Sequence, residues 1–263
     1  MNQDNAFSIS QHLSYYSAVK KVILYGSLAN NSSKKDVISD CDIGVVVDDI
    51  EFDDFKESIV WLTEYGDVFG YEKHLEDNKF TIRICYEDFS RYDISVIKES
   101  ALEDKTLHEF FGNNIQIVYT DHKNEKVNKK SITKLIRSTN NVDSDKVNKF
   151  WFVSVLAYCK IMRGDYLISG HLIFELMQET IVLQMLERDA KKNTNIHRYG
   201  NKETIHIFEK LNKFSFKSDK ETLFKLLKNT CQLYDEEMVK KEKSYKSKFH
   251  IFENWVNMMP LQK

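Results

Sequence analysis

Residues 22–49 read VILYGSLANNSSKKDVISDCDIGVVVDD, and the rest of the chain is best understood outward from them. The apolar run Val22-Ile23-Leu24-Tyr25 stops at Gly26-Ser27, a polar segment follows, and a second apolar run opens with Asp40 and Asp42. Side chains two apart on a strand share a face. Asp40 and Asp42 are therefore expected to project together while Cys41 points the other way. Two carboxylates about 4 Å apart repel by roughly 4 kcal/mol at an effective dielectric of about 20. A divalent cation between them removes that cost, and Mg²⁺ takes hard oxygen ligands, one or two carboxylates plus substrate phosphates. The Gly26-Ser27 turn suits a phosphate, because glycine lets the backbone come close and Ser27 offers a hydroxyl and an N–H.

Length and composition bound the rest. A chain of 263 residues suits one large domain or two modest ones. With 42% hydrophobic residues it can bury a sizeable core, and 30% charged residues favour solubility. The sequence has no run of about 18 apolar residues of the kind that spans a membrane. The start, MNQDNAFSIS, lacks the basic opening and apolar centre of a signal peptide. Cys41, Cys85, Cys159 and Cys231 lie far apart without a CxxC pair, which is read as reduced, buried thiols in a cytoplasmic protein. The net charge of −2 hides an asymmetry: residues 1–125 carry 24 acidic and 12 basic side chains, residues 126–263 carry 16 and 26. One reading is two solvated, mutually attracting domains; the other is an acidic half for a metal and a cationic acceptor, and a basic half for a triphosphate.

Periodicity predicts an opening helix over 8–19, a strand over 22–25 and a nearly all-apolar strand over 41–47, buried on both faces. An amphipathic helix is expected from Asp53 to Tyr65, with Phe55, Ile59 and Leu62 inward. Strands are expected at 68–74, 79–86 and 91–97, with a further one over Ile115–Tyr119. In the second of these, Phe80, Ile82, Ile84 and Tyr86 oppose Thr81, Arg83 and Cys85; in the third, Tyr92, Ile94 and Val96 oppose Asp93 and Ser95. Asp121 to Lys130 reads as a linker. Beyond it the pattern is helical: 143–162 with Asp143 as N-cap, 166–188, 202–213, 219–241 and 249–257, with Gly200 in the loop HRYGNK and the single proline at 260. The expected fold is thus an α/β N-terminal domain, a mixed sheet with flanking helices, followed by an all-α C-terminal domain.

Gly26-Ser27 followed by Asp40-x-Asp42 at the head of an apolar strand resembles the nucleotidyltransferase superfamily, which joins a nucleoside monophosphate to an acceptor hydroxyl. That pattern requires a third carboxylate on a later strand, and Asp93 fills the place. Thirteen positions separate Ser27 from Asp40, with Ala29-Asn30 early in the insert and Lys35-Asp36 late. Together with Phe150-Trp151, Tyr158-x-Lys160-x-x-Arg163 and Leu167-Ile168 in the helical half, this looks like the aminoglycoside 6-adenylyltransferase group, the streptomycin-modifying enzymes. The similarity runs from about 20 to 210, and its specific part is the catalytic motif. The loop HRYGNK departs from the group's local order, which leaves Lys202 without a role.

The resemblance implies residues 1–125 as catalytic domain and 126–263 as a helical domain completing the nucleotide and acceptor sites. It implies Mg²⁺ held by Asp40, Asp42 and Asp93, with Asp93 as metal ligand, general base or both, and ATP contacted by Gly26, Ser27 and Lys160. A solvent-facing lysine on an amphipathic helix is the competing reading of Lys160, as helix-end capping is of Arg163. The acceptor is expected to be a small, cationic, hydroxylated molecule. The numerous acids between 48 and 88, Glu72 among them, could attract it or form a solvated face. Glu175 and Glu179 could line its pocket, though salt bridging on the helix surface explains them better. Alternatives are a lincosamide acceptor, or a protein partner as in adenylylating antitoxins. The sequence contains no HExxH, GxGxxG or GxxxxGK[ST], which argues against zinc-protease, Rossmann and P-loop chemistry. Scattered lysines without aromatic platforms argue against nucleic acid.

Overall fold

The computed structural model describes residues 3–27, 29, 38–103, 105–121, 129–132, 145–191 and 219–259. The chain divides into two compact units, 1–145 and 146–263. The first carries helix α1 (Gln3–Ser14) and strands β1 (Val19–Tyr25) and β2 (Cys41–Val47). Short helices α2 (Phe52–Glu57) and α3 (Val60–Thr63) precede β3 (Val68–Leu75), β4 (Lys79–Tyr86) and β5 (Arg91–Lys98). Helix α4 (Leu107–Phe111) and β6 (Ile115–Thr120) complete it. The six strands form one mixed sheet in the order β3-β4-β5-β2-β1-β6, in which β2 and β5 run parallel and every other neighbour is antiparallel.

The apolar alternation divides the sheet's faces. Val22, Leu24, Ile43, Val45, Phe80, Ile82, Ile84, Tyr92, Ile94 and Val96 join Ile9 and Leu13 of α1, Phe52 and Phe55 of α2 and Trp61 beside them in one buried core. On the opposite face, among the described residues, Ile23, Val46, Ile97 and Phe111 form a small buried cluster. Phe111 lies over Gly44, where a Cβ would come within 2.8 Å of its ring.

Two expected helices are revised. The opening helix covers 3–14 rather than 8–19, because the residues after it are recruited to the sheet: Val19 pairs with Val47, and Asp48 donates its N–H to Ala18 O at 2.9 Å. The helix expected over 53–65 is broken at Ser58, which is extended (φ −120°, ψ 145°). The Trp61 indole N–H donates to Phe55 O at 3.1 Å and Ser58 O at 2.7 Å, so it satisfies carbonyls at the break. The other expected elements that fall on described residues agree to within a few residues, whereas α4 was not expected from the sequence. The chain also returns to the first unit at Lys129–Ile132: Ser17 N–H donates to Lys130 O, Lys130 N–H to Tyr15 O, and Ile132 is buried in the core.

The second unit is helical: α5 (Asp145–Met162), α6 (Tyr166–Lys191), α7 (Lys220–Lys241) and α8 (Phe249–Met258). Phe150 of α5 stacks on Tyr234 of α7 with ring centroids 3.4 Å apart. Buried Asp235 accepts hydrogen bonds from the Tyr245 hydroxyl (2.6 Å), the Ser247 hydroxyl (2.6 Å) and the Lys248 N–H (2.9 Å), tying α7 to the start of α8. Among the described residues no helix is long and apolar enough to cross a membrane. All four cysteines are free and buried. Asp143, the helix over 202–213, the HRYGNK loop and Pro260 lie outside the described residues.

Candidate active site

Strand pairing brings one residue from each of five strands into a single row across the less covered face. Tyr25 of β1 is opposite Asp42 of β2, Asp42 opposite Asp93 of β5, Asp93 opposite Arg83 of β4, and Arg83 opposite Glu72 of β3. Side chains of paired residues share a face, since the pleat is common to neighbouring strands. The two aspartates thus come from segments about fifty residues apart and are brought side by side by parallel pairing in register. The row ends in acid, acid, cation, acid.

At the head of the row the chain turns sharply. Gly26 has φ +63°, and a Cβ placed on it would come within 2.2 Å of Asp42 Oδ2. Glycine is therefore demanded twice, by the left-handed backbone and by the carboxylate against it. Ser27 follows in the turn, exposed. Asp40 lies just ahead of β2, half-buried, with its Oδ2 4.0 Å from Arg91 Nη2. The buried Arg91 guanidinium also donates to Ile38 O, so it secures the end of the segment that delivers Asp40.

The electrostatics follow from crowding. Burial first, then Asp40 and Asp93, push Asp42 from 3.8 up to about 7, against the partial relief of Arg83. Asp93 is raised too, chiefly by burial, while Arg83 opposes the rise and Asp40 adds to it. Arg83 donates from Nε to Asp93 Oδ2 at 3.1 Å and from Nη1 to Glu72 Oε1 at 2.7 Å. Beneath the row, the Tyr25 hydroxyl donates to Ser95 Oγ at 3.2 Å, and Ser95 Oγ lies 2.9 Å from Thr81 Oγ1. Burial and the neighbouring acids push the Tyr25 phenol up to about 12, so it stays neutral.

Among the described residues, no three His, Cys, Asp or Glu side chains are gathered closely enough to hold a metal ion as they stand. In the row, Arg83 engages one oxygen of Asp93 from the side away from Asp42. The donor chemistry nevertheless fits a hard divalent cation. The charge of Asp40 adds to the raised proton affinity of both Asp42 and Asp93, and Asp93 adds to that of Asp42; such repulsion is what a small cation with oxygen ligands relieves.

Asp40, Asp42, Asp93 and the Gly26-Ser27 turn are therefore found around one site. Lys160 lies on α5 in the second unit, where its Nζ is 3.7 Å from Asp165 Oδ2. Glu175 pairs with Lys149 at 2.7 Å, as surface salt bridging requires. Three residues of the site were not singled out from the sequence: Arg83, Glu72 as its anchor, and Arg91. The alternation of β4 already placed Arg83 on the face opposite its apolar side chains; the missing information was that β4 lies next to β5.

A family model described as Streptomycin adenylyltransferase matches residues 14–255. Among solved structures the chain is similar to an aminoglycoside 6-adenyltransferase from Bacillus subtilis, at 18% identity over 96% of this chain and 95% of that one, with a TM-score of 0.31. The comparison with curated proteins gives no match.

Proposed function

Because the chain belongs to the streptomycin adenylyltransferase family, and is thus an adenylyltransferase, we propose that it moves AMP from ATP to a hydroxyl of an aminoglycoside and releases pyrophosphate, with Mg²⁺. The observation that carries this reading is the pair Asp42 and Asp93, opposite each other on parallel strands, with the glycine turn packed against Asp42. Asp40, Asp42 and Asp93 would hold the cation, which when bound supplies charge neutralisation at the phosphates. Gly26 and Ser27 let the nucleotide's phosphates approach the backbone closely. The acceptor hydroxyl attacks the α-phosphorus, the bond to the bridging oxygen of pyrophosphate breaks, and Asp93 takes the hydroxyl proton. Its raised proton affinity suits that task. The rate comes from alignment and from charge placed where it develops, more than from covalent chemistry by the protein.

A cationic acceptor is consistent with the acidic first half of the sequence, 24 acids against 12 bases over 1–125. The test is incubation with labelled ATP, Mg²⁺ and, separately, streptomycin, spectinomycin, kanamycin and lincomycin. Label transferred to an aminoglycoside, with pyrophosphate in equal amount, is the expected result. Folded protein that labels lincomycin alone, or none of the four, overturns the aminoglycoside assignment.

A further inference from the structure

The row that carries the carboxylates also carries a cation that the reaction above does not use. Arg83 bridges two acids, with Nε on Asp93 Oδ2 at 3.1 Å and Nη1 on Glu72 Oε1 at 2.7 Å. Its side chain is 30% exposed, those of Glu72 and Asp93 25% and 21%, so the group is neither dry nor freely solvated. A guanidinium is a rigid planar fork. Once Nη1 is fixed on Glu72, the direction of Nε is fixed as well, and with it the plane of the Asp93 carboxylate. A lysine at this position has a single point charge and cannot define both partners' orientation.

The placement has a direction. Going across the sheet, β5 lies between β2 and β4, so Arg83 draws Asp93 Oδ2 toward the side away from Asp42. Without Arg83, Asp93 would face Asp42 and Asp40 with no compensating charge in the row. We infer that Arg83 is a positioning residue: anchored by Glu72, it acts as the built-in counter-cation of Asp93 and sets which way that carboxylate faces before substrates arrive. This rests on the reading of the face as a nucleotidyl-transfer site. Two effects then oppose each other. The positive charge beside the acids weakens their attraction for a divalent cation, while the fixed carboxylate favours turnover. Removing Arg83 must separate them.

The experiment measures two quantities on the full chain with Arg83→Met, Arg83→Lys, Glu72→Gln and the Glu72→Gln/Arg83→Met pair. The first is Mn²⁺ binding to protein without nucleotide or acceptor, read from the spin resonance of free Mn²⁺. Arg83→Met should bind Mn²⁺ about 3- to 10-fold more tightly, as expected for deleting one partly screened charge a few ångströms from the site. Arg83→Lys should stay near wild type. The second is the split of kcat from KM on the aminoglycoside that the wild type adenylylates. Arg83→Met should lower kcat about 10- to 100-fold with little change in the KM for ATP, the scale of a misplacement near 1 Å. Arg83→Lys should recover only part of kcat. Glu72→Gln should lower kcat less, and should cost nothing further once Arg83 is gone.

Weaker Mn²⁺ binding in Arg83→Met overturns the inference, as does full recovery of kcat by lysine or an additive effect of Glu72→Gln. Wild-type turnover is the separate check on the function itself. Where no tested acceptor is modified, the Mn²⁺ affinities of the methionine and lysine variants alone decide.

Discussion

Replacing Gly26 with alanine perturbs the site at one atom, and the structure contains its own control. Gly26 has φ +63° and Gly164, after α5, has φ +75°. An alanine at either position bears a similar backbone penalty, about 1–2 kcal/mol for a side chain in the left-handed region. The surroundings differ completely. A Cβ at Gly164 meets nothing within 4 Å, whereas at Gly26 it meets Asp42 Oδ2 at 2.2 Å and Asp42 Cγ at 3.0 Å. Ordinary contact needs more than 3 Å, so the carboxylate must move by about 1 Å or the turn must open. Displacement on that scale costs about 100-fold in rate when the displaced group orients a reacting centre. Gly164→Ala should therefore lose stability with turnover per folded molecule intact. Gly26→Ala should lose a comparable 1–2 kcal/mol from strain and in addition about 100-fold in kcat. Chemical denaturation gives the stability change, and steady-state kinetics on the accepted aminoglycoside gives the rate. Wild-type kcat in folded Gly26→Ala would refute the placement of Asp42 at the centre of the reaction.

Two further outcomes follow from the electrostatics and from the second unit. Burial and like charge raise Asp42 from 3.8 to about 7 in the folded protein, so the folded state holds that proton more tightly than the unfolded one; the stabilising contribution is complete below pH 3.8 and is lost as pH rises toward and through 7. That shift is worth about 4 kcal/mol at full effect and about half as much once solvent screening is allowed for. In chelator, wild-type protein should thus lose stability between pH 5 and pH 8 relative to Asp42→Asn, with Mg²⁺ restoring more at pH 8 than at pH 5; parallel pH profiles for the two proteins would contradict it. Asp235→Ala removes the acceptor of the Tyr245, Ser247 and Lys248 bonds and strands buried donors, for a loss of about 3 kcal/mol. Urea unfolding measures it, and a loss below about 1 kcal/mol would show that water replaces the carboxylate.

Strand content was legible because alternation is a local property. The run from Arg91 to Lys98 places Tyr92, Ile94 and Val96 inward and Asp93 and Ser95 outward whatever its neighbours are, and the three apolar residues are indeed fully buried. The Gly26-Ser27 and Asp40-x-Asp42 pattern was legible for a similar reason, since a turn and the strand it precedes lie within one stretch of chain. Strand order was not. Nothing in the composition of Lys79–Tyr86 says that it lies between β3 and β5, so Arg83 could be assigned to a face but not to Asp93. The break at Ser58 was hidden as well. Phe55, Ile59 and Leu62 keep helical spacing, but the indole of Trp61 competes for the Phe55 and Ser58 carbonyls, and a side-chain donor reaching back to backbone leaves no trace in periodicity.

The register of β2 against β5 links the stability of the core to the existence of the site. Setting Asp42 beside Asp93 is unfavourable on its own, by roughly 4 kcal/mol for a pair about 4 Å apart at an effective dielectric near 20. A slip of one residue would relieve it, but would also turn every side chain of the strand to the other face. Tyr92, Ile94 and Val96 would leave a core in which each is fully buried, while Asp93 and Ser95 entered it. Burying a side chain of that size contributes about 1.5–3 kcal/mol, so three of them outweigh the repulsion before any cost for buried aspartate is counted. A slip of two keeps the faces but sets Asp42 beside Ser95 or Arg91, and it breaks the match of Ile43 to Ile94 and Val45 to Val96. The apolar face therefore holds the acids together against their own repulsion, and leaves on the other face a concentration of negative charge that a cation can neutralise.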